Sequence, residues 1–342
     1  MKKLRTIAVA ALPILALTAG CQSSSHTSKA SGNFKGETIQ LVVPFDPGGG
    51  YDAYARQLAP ALGKQLGAKV VVINKPGAGG LLAMNQLSTA KADGTTIEIL
   101  NMTGTIGSAL AGAQGVTYKP EEFSYVGQIA SEPDVVIGAT KGSVKSYDDL
   151  KKLADAGTLK FAATGPGSNE YVDPLVLEKA LGLKNKIVTG FPGSGEAVLS
   201  LLQGNVNAYS RSLSSQLPTI KSGDATPLLV MGSQKLTAYP DTPTMLDEAP
   251  NADAKSLLEF HARVLESGRT IAGPPNMDAS RLKELRTAFA KVAQDAAFEK
   301  TAEAAGRPVT FKDGAAVATE VDGLMKAPAD YVSILKEAYQ GS

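Results

Sequence analysis

One cysteine, two histidines and no tryptophan stand among the 342 residues, and each scarcity closes a class of function. A lone Cys21 can form neither an intrachain disulfide nor a thiolate zinc site. His26 lies in a Ser-rich stretch and His261 stands alone in the rest of the chain, which excludes paired-histidine metal binding. A Ser-His-Asp mechanism would have to run through His261, and no nucleophile elbow accompanies it. In Phe191 to Ala197, Pro192 occupies the place where G-x-S-x-G needs its first glycine. No D-x-D-x-D-G spacing suggests a calcium loop. Charge of one sign is missing too, with 34 Lys and Arg against 33 Asp and Glu. Nothing in that balance points to nucleic acid. The longest apolar run near the start, Ile7 to Leu17, is too short for a membrane span, which needs about 20 residues.

What is present begins with that run. Lys2, Lys3 and Arg5 precede it, and Thr18, Ala19 and Gly20 follow it before Cys21, so residues 1–20 read as a signal peptide. Ending on the only cysteine, the pattern predicts a lipoprotein whose acylated Cys21 tethers the chain to a lipid bilayer outside the cytoplasmic membrane. A free thiol after an ordinary signal is the alternative. Residues 21–35 are rich in Ser and poor in large apolar groups, which predicts a tether that does not fold. The roughly 300 residues that remain exceed the usual single-core size, so two domains are expected.

The most informative stretch is Val42 to Ala53, VVPFDPGGGYDA. An apolar strand runs into Pro44 and turns through Asp46, Pro47, Gly48, Gly49 and Gly50, and a helix opens at Tyr51 and Asp52. Glycines let backbone N–H groups approach a bound group, and a helix start carries unpaired N–H groups and a partial positive charge. An anion fits there. Two other readings stand beside it. PGGG could be a flexible turn, and Gly48, Gly50 and Ala53 fit the G-x-G-x-x-A dinucleotide pattern. The next strand ends in Asn74 and Lys75 where that pattern expects an acid for the ribose, so only an NADP variant of the nucleotide-binding enzyme would remain.

Strands and helices alternate along the rest, which predicts an α/β fold. Tyr51 to Leu66 is an amphipathic helix with an interior Pro60, where a bend or a break is expected. Lys69 to Asn74 is a strand, and Lys75 to Gly80 forms a second glycine-rich turn before a helix from Leu81 to Lys91. A third strand, Thr96 to Leu100, leads to Thr103 and Gly104. Leu159 to Ala163 is a strand entering Thr164-Gly165-Pro166-Gly167-Ser168-Asn169, a second ligand-loop candidate; its helix is expected to become regular only after Pro174. Ser168 and Asn169 can donate to a ligand or cap that helix. After a strand from Val206 to Tyr209 comes Ser210-Arg211-Ser212, and Arg211 can grip a carboxylate through two hydrogen bonds or lie in solvent.

The succession from Val42 to Leu87, followed by ADGTTIEIL, resembles the solute receptors of tripartite tricarboxylate transporters, the Bug receptors. Two motifs in register carry the likeness: Pro44 to Asp52, and Asn74 to Gly80. The resemblance implies a periplasmic-binding-protein fold of two α/β lobes joined by two crossover segments, with 36–127 and 256–342 in the first lobe and 128–255 in the second. It also implies a monomer, without cofactor or enzymatic activity, that closes on a small carboxylate and delivers it to integral membrane transporter subunits. The expected ligand contacts are Phe45, Pro47, Gly48, Gly49, Gly50, Tyr51, Asp52, Thr103 and Gly104 from the first lobe. From the second they are Thr164, Gly165, Ser168, Asn169 and Arg211. Arg211 departs from the family pattern, which commonly has small or acidic residues there. Asp52 suits a capping role at its helix start better than a ligand contact.

Overall fold

A computed structural model describes residues 33–340 other than Gly167; the expected signal peptide, tether and acylated Cys21 lie outside the described residues. The first sheet begins with three parallel strands, β1 (Thr38–Val43), β2 (Lys69–Asn74) and β3 (Thr96–Asn101), with β1 in the middle. Helices α1 (Gly50–Leu66), α2 (Leu81–Ser88) and α3 (Met102–Ala111) follow them in turn. The apolar face of α1 buries Leu58 and Leu62 completely against Ile39 and Leu41 of β1. Each such leucine stabilises the fold by about 1.5–3 kcal/mol relative to exposure. Gly67 ends α1 in the left-handed region at φ 62°, where a Cβ would be strained. Pro60 neither breaks nor ends the helix, so the two-helix form of the expectation is not observed. It lies on the exposed side, so water can reach the carbonyl that its ring leaves without a donor.

The chain then crosses between sheets. β4 (Ser124–Ala130) belongs to the first sheet, whereas β5 (Asp134–Ala139) belongs to the second. The change of sheet therefore falls at residues 131–133, a few positions after the expected boundary at 127. In the second lobe come α4 (Tyr147–Asp155), β6 (Lys160–Ala162), α5 (Asn169–Leu181), β7 (Lys186–Val188) and α6 (Ser194–Leu202). They are followed by β8 (Tyr209–Ser212), α7 (Leu213–Lys221) and β9 (Ala225–Met231). Strand β5 lies antiparallel between β8 and β9, and the parallel pair β6 and β7 reaches them through a bridge from Phe161 to Ala208. Helix α5 starts at Asn169 and carries Pro174 inside it, so the late start expected from the proline is not observed.

Helix α8 (Ala252–Glu266) returns the chain to β10 (Arg269–Gly273), which sits antiparallel between β3 and β4. The second crossover is thus Ser267 and Gly268, later than the expected boundary at 255. Helices α9 (Ala279–Ala293) and α10 (Ala296–Ala304) precede the edge strand β11 (Lys312–Asp313), and α11 (Gly314–Leu324) and α12 (Ala329–Gln340) close the chain. The first sheet reads β11-β4-β10-β3-β1-β2. Not all the late helices stay on the first lobe: α12 packs on α3 and also on α5 of the second. One apolar core, including Ile106, Val172, Val176, Leu258 and Leu335, runs continuously through these three helices and α8.

Candidate functional site

The loop from β1 to α1 is held by its own side chains. Asp52 accepts hydrogen bonds from the Gly48 N–H at 2.9 Å, Arg56 Nε at 2.8 Å and Asn74 Nδ2 at 3.0 Å. Burial works to raise its pKa, but these donors outweigh it and hold the carboxyl below the ordinary range. Both carboxylate oxygens are taken by protein donors, in keeping with a role in shaping the loop. Asn74 Nδ2 also donates to the Phe45 carbonyl at 2.9 Å, and Lys75 Nζ to Gln86 Oε1 at 2.9 Å. Lys75, on which an NADP site would rely, is therefore held locally. The second glycine turn packs on the first: a Cβ at Gly80, whose φ is +104°, would stand 3.1 Å from Pro44 Cβ. That contact explains why two glycine motifs occur together.

Across from this loop the second lobe presents a wall of buried charge. Strand β8 extends to Ser212, past the end expected at Tyr209, because Arg211 pairs with Val135 of β5. Arg211 is 2% exposed, which places it inside the protein and rules out the solvent alternative. Its Nη1 donates to Tyr209 Oη at 3.2 Å and to Glu170 Oε1 at 3.3 Å, and the same Glu170 oxygen accepts from Thr164 Oγ1 at 2.9 Å. Neither Ser168 nor Asn169 caps α5 through its side chain. Ser168 Oγ donates to the Gly165 carbonyl at 2.7 Å and Asn169 Nδ2 to Asp134 Oδ2 at 2.6 Å.

Behind Asn169 lies a second polar chain. Asp173 accepts from Ser210 Oγ at 2.6 Å and meets His261 Nε2 at 3.0 Å, while His261 Nδ1 meets Tyr331 Oη at 2.9 Å. Burial pushes the Asp173 carboxyl up to about 7, and burial together with the charge of Asp173 raises Asp134 well above the carboxylate range. Burial also lowers His261 to about 4, which keeps it neutral at physiological pH. His261 is completely buried in α8 and belongs to this interior network.

The two walls touch. The Arg211 guanidinium carbon lies 5.2 Å from the centre of the Phe45 ring and 6.0 Å from that of Tyr51, whose rings are 5.0 Å apart. Tyr51 Oη donates to Asn101 Oδ1 at 3.1 Å. A second buried arginine, Arg269 of β10, has its guanidinium carbon 4.8 Å from the centre of the Tyr51 ring and 4.7 Å from that of Tyr54. It is paired with Glu132 and donates to Ser212 Oγ at 2.5 Å. Glycine permits the approach of the lobes: a Cβ on Gly50 would lie 2.2 Å from Ser215 Oγ, and one on Gly165 would lie 3.3 Å from the Gly79 nitrogen. Thr103 and Gly104 lie buried in the first turn of α3, the helix packed on α5. Beside the loop, a cavity of about 290 Å³ is lined by Gly48, Gly49 and Gly50 of one lobe and by Ser194, Ser214 and Ser215 of the other, with Arg307 at its edge.

The structure therefore brings Phe45, Gly50, Tyr51, Thr164, Gly165 and Arg211 to the junction, and turns Asp52, Ser168 and Asn169 to internal bonds. Reasoning from sequence missed Glu170, Asp134, Asp173, Glu132 and Arg269. A usable signal was present for two of them, since Asp134 and Arg269 are charges at the heads of apolar strands, DVVIGA and RTIAG. Among the described residues no group of His, Cys, Asp and Glu could hold a metal ion, and no helix is long and apolar enough to cross a membrane.

Two α/β lobes, two crossovers and a cleft cornered by glycine define a binding protein of the periplasmic-binding-protein fold. Solved structures agree. The periplasmic binding protein BugD superposes with a TM-score of 0.73 at 21% identity, over 88% of this chain and 97% of BugD. MatC from Rhodopseudomonas palustris, solved with bound malate, gives 0.74 at 22% identity over 89% and 99%. Protein BugT of Bordetella pertussis is 32% identical over 212 residues, which is 61% of this chain and 65% of BugT. The family model for the tripartite tricarboxylate transporter family receptor matches residues 54–318. The chain belongs to that receptor family.

Proposed function

We propose that this chain is an extracytoplasmic solute-binding protein, anchored through lipid on Cys21, that captures a small carboxylic acid and delivers it to a tripartite tricarboxylate transporter. The observation that carries the reading is the buried Arg211, which reaches from the second lobe to the rings of the first lobe's glycine loop. A guanidinium held out of water is a strong partner for a carboxylate. The N-terminal ends of α1, α6 and α7 bordering the cavity add partial positive charge for the same kind of group. Malate in MatC is a precedent of matching chemistry on the same fold. Closure of the lobes would then bury the acid and shape the surface offered to the membrane subunits.

Thermal shift of the purified full chain against di- and tricarboxylates, amino acids, phosphate and nucleotides tests this. A ligand at 100 times its Kd adds about 2.7 kcal/mol of stability and a rise in Tm of a few degrees. A shift with carboxylic acids and none with nucleotides is expected. A shift with nucleotides alone would overturn the reading.

A further inference from the structure

The Arg211–Glu170 pair is incomplete on both sides. Glu170 is fully buried and its Oε1 serves Thr164 and Arg211, while its Oε2 has no partner; Arg211 Nε is likewise buried and unpartnered. An unsatisfied buried atom costs about 1–3 kcal/mol, and more when the group is charged. The neighbouring acids do not explain the vacancy, because Asp134 and Asp173 are used by Asn169, Ser210 and His261. The second arginine at the junction also has a buried, unpartnered Nε, but both oxygens of its acid, Glu132, are taken, by Arg269 and Ser214. Arg211 thus shares its charge with Glu170 through Nη1, and its Nε side is what is left for the carboxylate of a ligand. What the site offers is a buried unused donor and a buried unused acceptor on a single ion pair, whose guanidinium lies beside the rings of Phe45 and Tyr51.

We propose that Glu170 makes this receptor selective for carboxylic acids that carry an amino group, with the ammonium bound by Glu170 Oε2 and the carboxylate by the Nε side of Arg211. This rests on the carboxylic-acid reading above and narrows it. In an α-amino acid the two charges sit on one carbon, as the unused donor and acceptor sit on one ion pair. The faces of Phe45 and Tyr51 suit an ammonium as well as a guanidinium. A simple di- or tricarboxylate would leave Glu170 Oε2 unpaired and bring like charge toward it.

The test is titration calorimetry on the purified full chain with matched pairs: succinate against aspartate, adipate against 2-aminoadipate, and propionate against alanine. In at least one pair the amino acid is expected to bind ten times more tightly or better than its plain counterpart. In Glu170→Gln that ratio should fall toward one, with plain acids gaining affinity. Plain acids binding as tightly as amino acids in the unaltered chain would overturn the selectivity, whether or not the variant folds, and would leave the carboxylic-acid reading intact. An equal loss for both members in a folded Glu170→Gln would overturn it too. Binding of neither kind of acid would sink the broader reading, and this proposal with it.

Discussion

The two walls of the cleft are built on different principles. The first lobe meets the junction with backbone and rings: a loop of three glycines, a helix start, and Phe45 and Tyr51. From the second lobe come polar and ionisable side chains buried among strands and a helix: the Arg211–Glu170 pair and, behind it, Asp134 and Asp173, whose burial favours their protonated forms, all four at most 2% exposed. Backbone N–H groups accept any anion of suitable size. Buried charges accept only what completes them, because their desolvation has already been incurred. On the function proposed above, the first lobe would catch an acid and the second would choose among acids.

That division can be attacked from either side. The largest effect is expected in the second lobe: Arg211→Ala leaves Glu170 without its cation and should destabilise the fold by about 3–5 kcal/mol. Chemical denaturation of Arg211→Ala, Glu170→Ala and the double variant would show it. If the pair is the unit, the double variant recovers much of the loss; simple additivity would contradict the coupling. In the first lobe the loss should be of affinity, not stability. Gly50→Val places atoms where Ser215 Oγ and Arg269 Nη2 stand, at 2.2 and 3.0 Å from a Cβ. Full closure should be prevented, with a loss in affinity on the order of 100-fold, about 2.7 kcal/mol. Circular dichroism and melting should change little. A large fall in Tm with affinity preserved would reverse the assignment.

The smallest effect concerns proton balance behind the second wall. His261 lies near 4 in the folded protein against 6.5 in the open chain, so it costs stability as pH falls through that window, when the unfolded chain takes up a proton that the fold refuses. Asp173 acts oppositely. Its folded value near 7 means that the contribution it makes when protonated is lost as pH rises from about 4 to 7. The two partly cancel. Replacing His261 with Gln should lower stability at pH 7 through lost packing, and the deficit should shrink as pH falls from 6.5 toward 4, by at most about 1.4 kcal/mol per pH unit. Melting curves of both proteins across that range would reveal the trend; a constant deficit would mean that His261 does not titrate as described.

The same division explains how much could be read from the sequence. The first wall is written locally. Pro44 to Asp52 and Asn74 to Gly80 each carry their turn and helix start within a few residues, and the structure adds mainly the Asp52 clasp. The second wall is assembled from distant parts. Arg211 is fixed by pairing of β8 with β5, some seventy-five residues earlier, and nothing near Ser210 or Ser212 says that the strand runs on past Tyr209. Glu170 stands in the first turn of α5, where acids are common, and nothing beside it in the sequence singles it out. Its burial depends on Thr164, on Arg211 and on lobe contacts that no local pattern records. Pro60 and Pro174 misled in another way: local cost argued for a bend or break at one and a late helix start at the other, and α1 and α5 run on through both.

Helix α12 gives the cleft a spine. Its Tyr339 ring lies edge-on to Tyr171 of the second lobe at 5.6 Å, and its hydroxyl is bonded to the Pro166 carbonyl of the second lobe's loop, with Ser108 of the first lobe within 3.3 Å. The lobes therefore resemble the covers of a bound book more than two beads on a string. An opening that kept these contacts would pivot about a packed edge, and a solute arriving at the mouth would meet two surfaces held close together. Little of its binding energy has to be diverted into gathering the walls, and the share of molecules already shut sets how tightly it seems to be held.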